Sequence, residues 1–339
     1  MGGDNAPEII IEAASIVRRG DKTTKFVFFG NEKIIKPLIF KYKNLKKDIK
    51  IVHTEEFISS DEIPSNALRR GRKSSMAIAI QSVKDDKAHA VVSAGNTGAL
   101  MALSMFILRP MGGVRRPAIC SSIPTLKGWS VMLDLGANIE ADEENLAQFG
   151  IMGAVFHRIF SNKDKPTVGL LNVGTEDMKG HNYIAEAGNI LSGVDMIDYY
   201  GYVEGDDIGK GTVDVVVADG FSGNIALKAI EGTAILILGT IKKKMLHSGF
   251  GLLALFIGLP ALLGIKRDLD PARHNGAILL GLNGISVKSH GSASAKAFST
   301  AIKLSVDLAN RDFISQLKNE LSKINVADIQ QLESKSEGE

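Results

Sequence analysis

Seven short apolar runs punctuate the chain: KFVFFG at 25–30, IKIVHT at 49–54, AHAVVSAG at 88–95, WSVMLDLG at 129–136, TVGLLNVG at 167–174, VDVVVADG at 213–220 and GISVKSHG at 284–291. Most are near-continuous rather than alternating, and most end in Gly, Asp or Ser before a segment of helical spacing. That pattern predicts parallel strands buried on both faces by crossover helices. The fold class is therefore α/β, a mostly parallel sheet with helices on both faces. In such sheets ligands bind beyond the carboxyl ends of the strands, so the loops after the strands are where chemistry is sought. No internal repeat is evident. The pattern is that of a single α/β domain over 1–330, with a polar tail at 331–339 expected to fray.

One stretch breaks the pattern. Residues 242–267 read KKKMLHSGFGLLALFIGLPALLGIKR, where seventeen uncharged, largely apolar residues (Gly249 to Ile265) lie between basic clusters. That length is at the lower limit for a membrane span, and Pro260 and four glycines weaken it further. Pro260 would break a buried core helix, and Lys242, Lys243, Lys244, Lys266 and Arg267 hold both ends near water. The spacing predicts two short helices meeting near 258–260, within an apolar helical protrusion over about 235–272. Its tip, with Leu253, Leu255, Phe256 and Leu259, suits contact with an anionic membrane while the flanking lysines meet the lipid headgroups. Packing in a dimer interface, or shielding of an apolar ligand, stays open as the alternative.

Composition narrows the function classes. A net charge of +2 argues against nucleic acid as a partner, because no strong uniform basic field is present. The single Cys120 excludes an intrachain disulfide and any multi-cysteine zinc site, which fits a reducing cytosol. Its apolar surroundings, RRPAICSSIP, mark an inert thiol rather than a nucleophile. The opening MGGDNAPEII lacks the basic and apolar regions of a signal peptide, so a cytoplasmic protein with peripheral membrane association is expected.

The loops carry the candidate chemistry. SAGNTGALMALSMFIL at 93–108 sets Gly95, Asn96, Thr97 and Gly98 at the start of a long apolar helix. Glycines there let backbone N–H groups turn toward an anion, and Asn96 or Thr97 caps the helix or donates to a phosphate. A simple capped turn is the plainer reading. In LDLGANIEADEENLAQFG at 133–150 the acids suit a helix start better than a metal, so no metal site is expected. GTEDMKGHN offers Lys179 as a point charge for a phosphate or a carbonyl oxygen, or as an ordinary solvated lysine. ADGFSGN offers Gly223 and Asn224 to hold an oxyanion, and SHGSASAKAF offers His290 and Ser292. The opening MGGDNAP, with Asp4 and Asn5, has the composition of a post-strand loop although no strand precedes it. No nucleophile elbow, Walker loop, zinc-protease motif or dinucleotide fingerprint is present, and no cofactor is expected. Loops rich in Gly, Asn, Ser, Thr and Lys suit binding and polarising an anion, which points to transfer to or from phosphate.

Taken in order, MGGDNAP, SAGNTGALMA, RRPAI, LDLGAN, GLLNVGTEDMKG, VEGDDI, DVVVADGFSGNIALKAIEG and VKSHGSASAKAF resemble the successive motifs of the bacterial PlsX-type phosphate acyltransferases, from residue 1 to about 310. The resemblance implies an enzyme of phospholipid synthesis that moves a fatty acyl group from acyl carrier protein to inorganic phosphate, giving an acyl phosphate. A separate glycerol-3-phosphate acyltransferase of the membrane then consumes it. It further implies a homodimer and a fold similar to phosphotransacetylases and isocitrate/isopropylmalate dehydrogenases. Phosphate is already an oxyanion nucleophile and needs positioning, whereas the tetrahedral oxyanion needs fixed donors, each worth about 3–4 kcal/mol. Gly95, Asn96, Thr97 and Gly98 are expected to bind phosphate. Lys179 and Asn224 are expected to steady the carbonyl oxygen or the phosphate, with His290 and Ser292 close by and Asp4, Asn5 and Gly223 lining the site. Arg69, Arg70, Arg72 and Lys73 form a basic surface for the acidic carrier protein. Two departures stand out: a strand expected just before MGGD is not in the sequence, and Ser294 stands where many relatives carry Asp. A phosphotransacetylase-like acyl-CoA enzyme and a non-catalytic membrane-associated scaffold of lipid synthesis remain the alternatives.

Overall fold

The computed structural model describes residues 1–161, 163–176, 179–246, 258, 264 and 275–323. All seven apolar runs form strands: β1 (Phe26–Gly30), β2 (Ile49–His53), β3 (Ala90–Ser93), β5 (Gly128–Leu133), β6 (Thr167–Leu171), β8 (Val215–Val217) and β10 (Ile285–Lys288). Three further strands join them: β4 (Ala118–Thr125), β7 (Asp198–Val203) and β9 (Ala277–Leu280). β1 and β2 make a two-stranded sheet, and the others an eight-stranded sheet in the order β3-β10-β9-β4-β5-β8-β6-β7.

The sheet is mostly parallel, with an antiparallel centre. β3 with β10, β5 with β8, β8 with β6 and β6 with β7 run parallel. β10 with β9, β9 with β4 and β4 with β5 run antiparallel. Direction therefore reverses across the centre, so β3 and β10 end at one edge of the sheet while β5, β6, β7 and β8 end at the opposite edge.

Successive side chains of a strand face opposite ways, and the core is split accordingly. Val215 and Val217 of β8 join a cluster with Phe149, Met152 and Phe156 of α6 (Glu143–Ser161) and Phe313 of α11 (Phe313–Lys323). Val216 joins the cluster on the other face, with Ile80 of α4 (Ser75–Lys84) and Leu100 and Leu103 of α5 (Thr97–Ile107). α1 (Glu8–Gly20) packs Ile11 and Ala14 toward β1, while Ala13 and Val17 meet Phe298 and Ile302 of α10 (Ala295–Asn310). β1 and β3 are not paired with each other. Between them lies an apolar cavity of about 110 Å³, lined by Met1, Val27, Phe29, Met76 and Val91 among others.

Helix α9 (Gly220–Leu246) departs from the sheet. Its Ala226, Leu227 and Ile230 pack partly on the second cluster, but farther along Ile235 and Leu236 are each 68% exposed. At about 1.5 Å per residue the helix is about 40 Å long. The apolar protrusion expected from about 235 thus begins inside one continuous helix. Its expected tip, with Leu253, Leu255, Phe256 and Leu259, lies outside the described residues, as does the tail at 331–339. Cys120 is fully buried in β4, and burial, aided by the nearby Asp134 carboxylate, pushes its thiol far above the usual range, so it is inert.

Candidate active site

At the edge where β3 and β10 end, three sequence-selected loops meet. The Asp4 N–H donates to the Gly291 carbonyl at 3.3 Å, and the Ser289 N–H to the Ser93 carbonyl at 2.8 Å. Contact is tight: a Cβ on Gly3 would lie 3.1 Å from the Ala94 Cβ, and one on Gly291 3.4 Å from an Asp4 carboxylate oxygen. Asn275 ties the turn together, donating to Ser289 Oγ at 2.7 Å and accepting from the His290 N–H at 3.2 Å. His290 Nδ1 and Ser292 Oγ are 2.9 Å apart on the exposed rim. Asn5 is exposed at the start of α1, where its carbonyl accepts from the Ile9 N–H.

The Gly95–Gly98 loop divides its work. Asn96 caps α5 by accepting from the Ala99 N–H at 2.9 Å, and its amide donates to the Ser60 and Glu62 carbonyls. Its side chain is therefore committed to the loop, and the capping alternative describes it. Gly98 serves packing, since a Cβ there would lie 2.6 Å from Pro64 Cγ, and Gly95 lies against Met76. Thr97 is exposed in the first turn, where backbone N–H groups lack helical partners and favour an anion. Ser294 caps α10 by accepting from the Ala297 N–H at 3.2 Å. Ser and Asp cap helices about equally well, so the substitution of the expected Asp keeps that function.

A second group of loops lies at the opposite edge. Asp134, fully buried, accepts from the backbone N–H groups of Ile119, Gly136, Ala137 and Asn138 and from the Asn138 amide. Burial pushes its carboxyl up, against the downward pull of those donors. The start of α9 sits on this turn at very short range: a Cβ on Gly223 would lie 1.9 Å from the Asp134 carbonyl oxygen, and one on Gly220 2.4 Å from that of Asn138. Gly223 is thus a close-packing residue. Asp219 caps α9 through the Ser222 N–H at 2.8 Å and also bonds the Tyr183 hydroxyl. Asn224 faces Gly136, and among the described residues its carboxamide has no hydrogen-bond partner. Lys179 is exposed and holds Glu176 at 2.7 Å, a bond that raises its pKa. Its carbonyl accepts from the buried Asn172.

Strand direction thus separates residues expected to lie together. Asp4, Gly95, Asn96, Thr97, Gly98, His290 and Ser292 gather at one edge, whereas Lys179, Gly223 and Asn224 gather at the other. Within one chain His290 and Ser292 are not close to Lys179 and Asn224. Arg69, Arg70, Arg72 and Lys73 are all exposed around the turn between α3 (Pro64–Arg70) and α4. Arg72 and Arg109 lie over the half-exposed Phe106 ring, at 5.6 and 5.2 Å from its centre, so the basic surface has an aromatic floor.

A family model described as "Fatty acid synthesis protein" matches residues 1–316. Among curated relatives, the phosphate acyltransferase of Rhodospirillum centenum is 46% identical over 96% of this chain and 92% of its own. That of Rhodospirillum rubrum is 44% identical over 96% and 94%. The chain belongs to the phosphate acyltransferase family. Membership makes it an acyltransferase of fatty acid and lipid synthesis. The fold agrees. A phosphotransacetylase from Streptococcus pyogenes superposes with a TM-score of 0.63 at 18% identity, covering 90% of this chain and 92% of that one. The EutD phosphotransacetylase from Staphylococcus aureus gives 0.57 at 17%, covering 89% and 90%.

Sequence reasoning passed over four residues of these phosphate acyltransferase loops. Asn275 and Tyr183 carry no local signal. Asp134 was legible only as a strand-end acid. Lys288, the last residue of β10, sits inside a quoted motif but reads as strand. Asp134 is the structural keystone of its turn. Replacing it with Ala should leave several buried N–H groups unpaired, at about 1–3 kcal/mol each. We expect Asp134→Ala to lose more than about 3 kcal/mol in urea unfolding and Asp134→Asn, which keeps an acceptor oxygen, to lose less. Equal losses would show that the carboxylate is not what holds the turn.

Proposed function

We propose that this phosphate acyltransferase takes a long fatty acyl group from acyl carrier protein and gives it to inorganic phosphate, forming an acyl phosphate for phospholipid synthesis. A phosphate oxygen attacks the thioester carbonyl, the carbon–oxygen bond forms, and the carbon–sulfur bond breaks. The phosphate proton ends on the departing thiol, so no outside acid is consumed. The observation that carries the reading is the meeting of the Asp4, Gly95–Gly98 and Ser289–Ser292 loops at the N-terminus of α5, a polar edge suited to an anion. Phosphate binds there, with His290 and Ser292 at the rim, and Asn224 and Lys179 supply donors to the carbonyl oxygen. The exposed arginines around Phe106 receive the acidic carrier protein, and the exposed part of α9 favours a long-chain substrate at a membrane over acyl-CoA of short chain. The reading also takes in cytoplasmic location, peripheral contact with anionic lipid and delivery to the glycerol-3-phosphate acyltransferase.

A homodimer follows from the same reading. If both loop groups serve one reaction, they meet only between copies, because one chain holds them at opposite edges. Ile139, Val173, Phe221 and Ile225 are exposed apolar residues around the Asn224 edge, the surface expected of an interface.

Incubation with long-chain acyl carrier protein and phosphate should give a phosphate-dependent, hydroxylamine-trappable acyl phosphate; if acyl-CoA alone supports it, the carrier-protein reading is wrong. Arg70→Glu should raise KM for the carrier protein and leave that for phosphate unchanged. His290→Ala and Asn224→Ala should each lose at least about tenfold in kcat. Mixing and refolding these two inactive variants should restore up to about a quarter of wild-type activity, since half the dimers then carry one intact site. No restoration would exclude a shared site. Leu236→Glu should reduce flotation with anionic liposomes; unchanged flotation would remove α9 as the membrane contact.

A further inference from the structure

The polar edge at the end of β10 contains one charged side chain that the reading above does not use. Lys288 is in register with Ser93 of β3 and Ala277 of β9, so it closes the strand where the three loops meet. Its orientation follows from its neighbour two residues back. Ser286 Oγ lies 3.1 Å from Ser104 Oγ on α5, so the alternation of the strand turns Lys288 to the α5 face as well. From Ser104 back to Thr97 is about 10.5 Å along the helix, and from Ser286 to Lys288 about 6.6 Å along the strand. Nζ donates to the Ser289 carbonyl, one residue farther along the chain, which carries the ammonium toward the level of the α5 N-terminus. It is held there by that carbonyl and by attraction to the Asp4 carboxylate.

A mostly buried ammonium beside a helix N-terminus is in an unfavourable place, since both burial and the helix dipole oppose a cation. A bound dianion reverses both effects, because it pairs the ammonium and accepts from the free N–H groups of the helix. We propose that Lys288 is the cation that binds the phosphate substrate, with Asp4 and the Ser289 carbonyl positioning it. This rests on the acyl-phosphate reading and names the residue that discriminates a phosphate from a neutral nucleophile such as water.

The charge state is tunable in the working range. Burial, only partly opposed by Asp4, pulls the Lys288 pKa down from 10.5 to about 8. The groups facing it are few. β3, β9 and α5 carry no charged residue, Lys296, Lys303 and Asp307 of α10 are exposed, and His290 follows in its own loop. Below about pH 8 the ammonium is present and phosphate binds; as pH rises through that value the charge and the affinity are lost together.

Equilibrium dialysis of radiolabelled phosphate with the full chain, at about pH 7 and about pH 9, tests this together with KM for phosphate. Lys288→Met should weaken phosphate binding by about tenfold to a hundredfold, with KM for the acyl donor unchanged. It should unfold no more easily at neutral pH, because it removes a buried charge. Lys288→Arg should bind phosphate at both pH values and abolish the weakening seen in wild type. The proposal falls if Lys288→Met binds phosphate as wild type does, if wild type binds none, or if wild type and Lys288→Arg weaken alike between the two pH values. Should Lys288→Met fail to fold, the Lys288→Arg profile alone decides. Phosphate binding that depends on Lys288 without any acyl phosphate formed would overturn the acyl-transfer reading and leave this assignment standing.

Discussion

Strand direction reverses across β9, β4 and β5, and the position of every polar loop depends on that reversal. In a wholly parallel sheet all carboxyl ends share one edge, and post-strand loops converge there by topology alone. Here the antiparallel centre makes two such edges. One receives the loops after β3 and β10, together with the N-terminal loop; the other receives those after β5, β6 and β8. Two polar sites of similar composition are thereby kept apart on a single rigid sheet. No side-chain motion brings them together, since the separation is built into the hydrogen-bonded ladder.

The two edges differ in electrostatic character despite their similar residues. At the β10 edge, Lys288 and the α5 N-terminus both favour negative charge, and Asp4 is the counter-charge. At the β5 edge, a carboxylate is the buried group. Asp134 uses its oxygens wholly on backbone N–H groups and the Asn138 amide, which makes it a brace for the turn rather than a base facing substrate. The Asn224 carboxamide faces Gly136, and Lys179 is exposed beside Glu176.

Much of this was legible in the sequence because burial writes a strong pattern. The seven near-continuous apolar runs became strands, and the Gly, Asp and Ser at their ends became loops. The strands that escaped notice have physical reasons. β4 is interrupted by Ser121, Ser122 and Pro124, β9 is four residues of a Gly-bounded run, and β7 is an edge strand carrying Tyr and Gly. Two of those three carry the antiparallel pairings, so strand direction, and with it the division of the loops, could not be read from periodicity. Loop composition also could not separate roles. Asn96 and Ser294 cap helices, and Gly98, Gly220 and Gly223 admit close neighbours, with the same residue types that an anion site needs. A lysine ending a strand, as Lys288 does, gives no signal at all until its register with Ser93 is known.

Helix α9 ties the site to the surface of the molecule. It starts at the Asp219 cap, passes Gly223 and Asn224 against the Asp134 turn, and continues without a break into its exposed apolar length. Because Gly220 and Gly223 let it sit at such short range, a shift of the helix would drive its backbone into the Asp134 and Asn138 carbonyls. The helix is therefore fixed at its base and apolar along its arm. Among the described residues Ile235 and Leu236 are left largely uncovered, an apolar surface that invites a partner. A membrane or a second copy of the chain would meet the arm differently. With its base held this way the helix is a rigid projection, and either cover would leave the Asn224 loop where the Asp134 turn sets it.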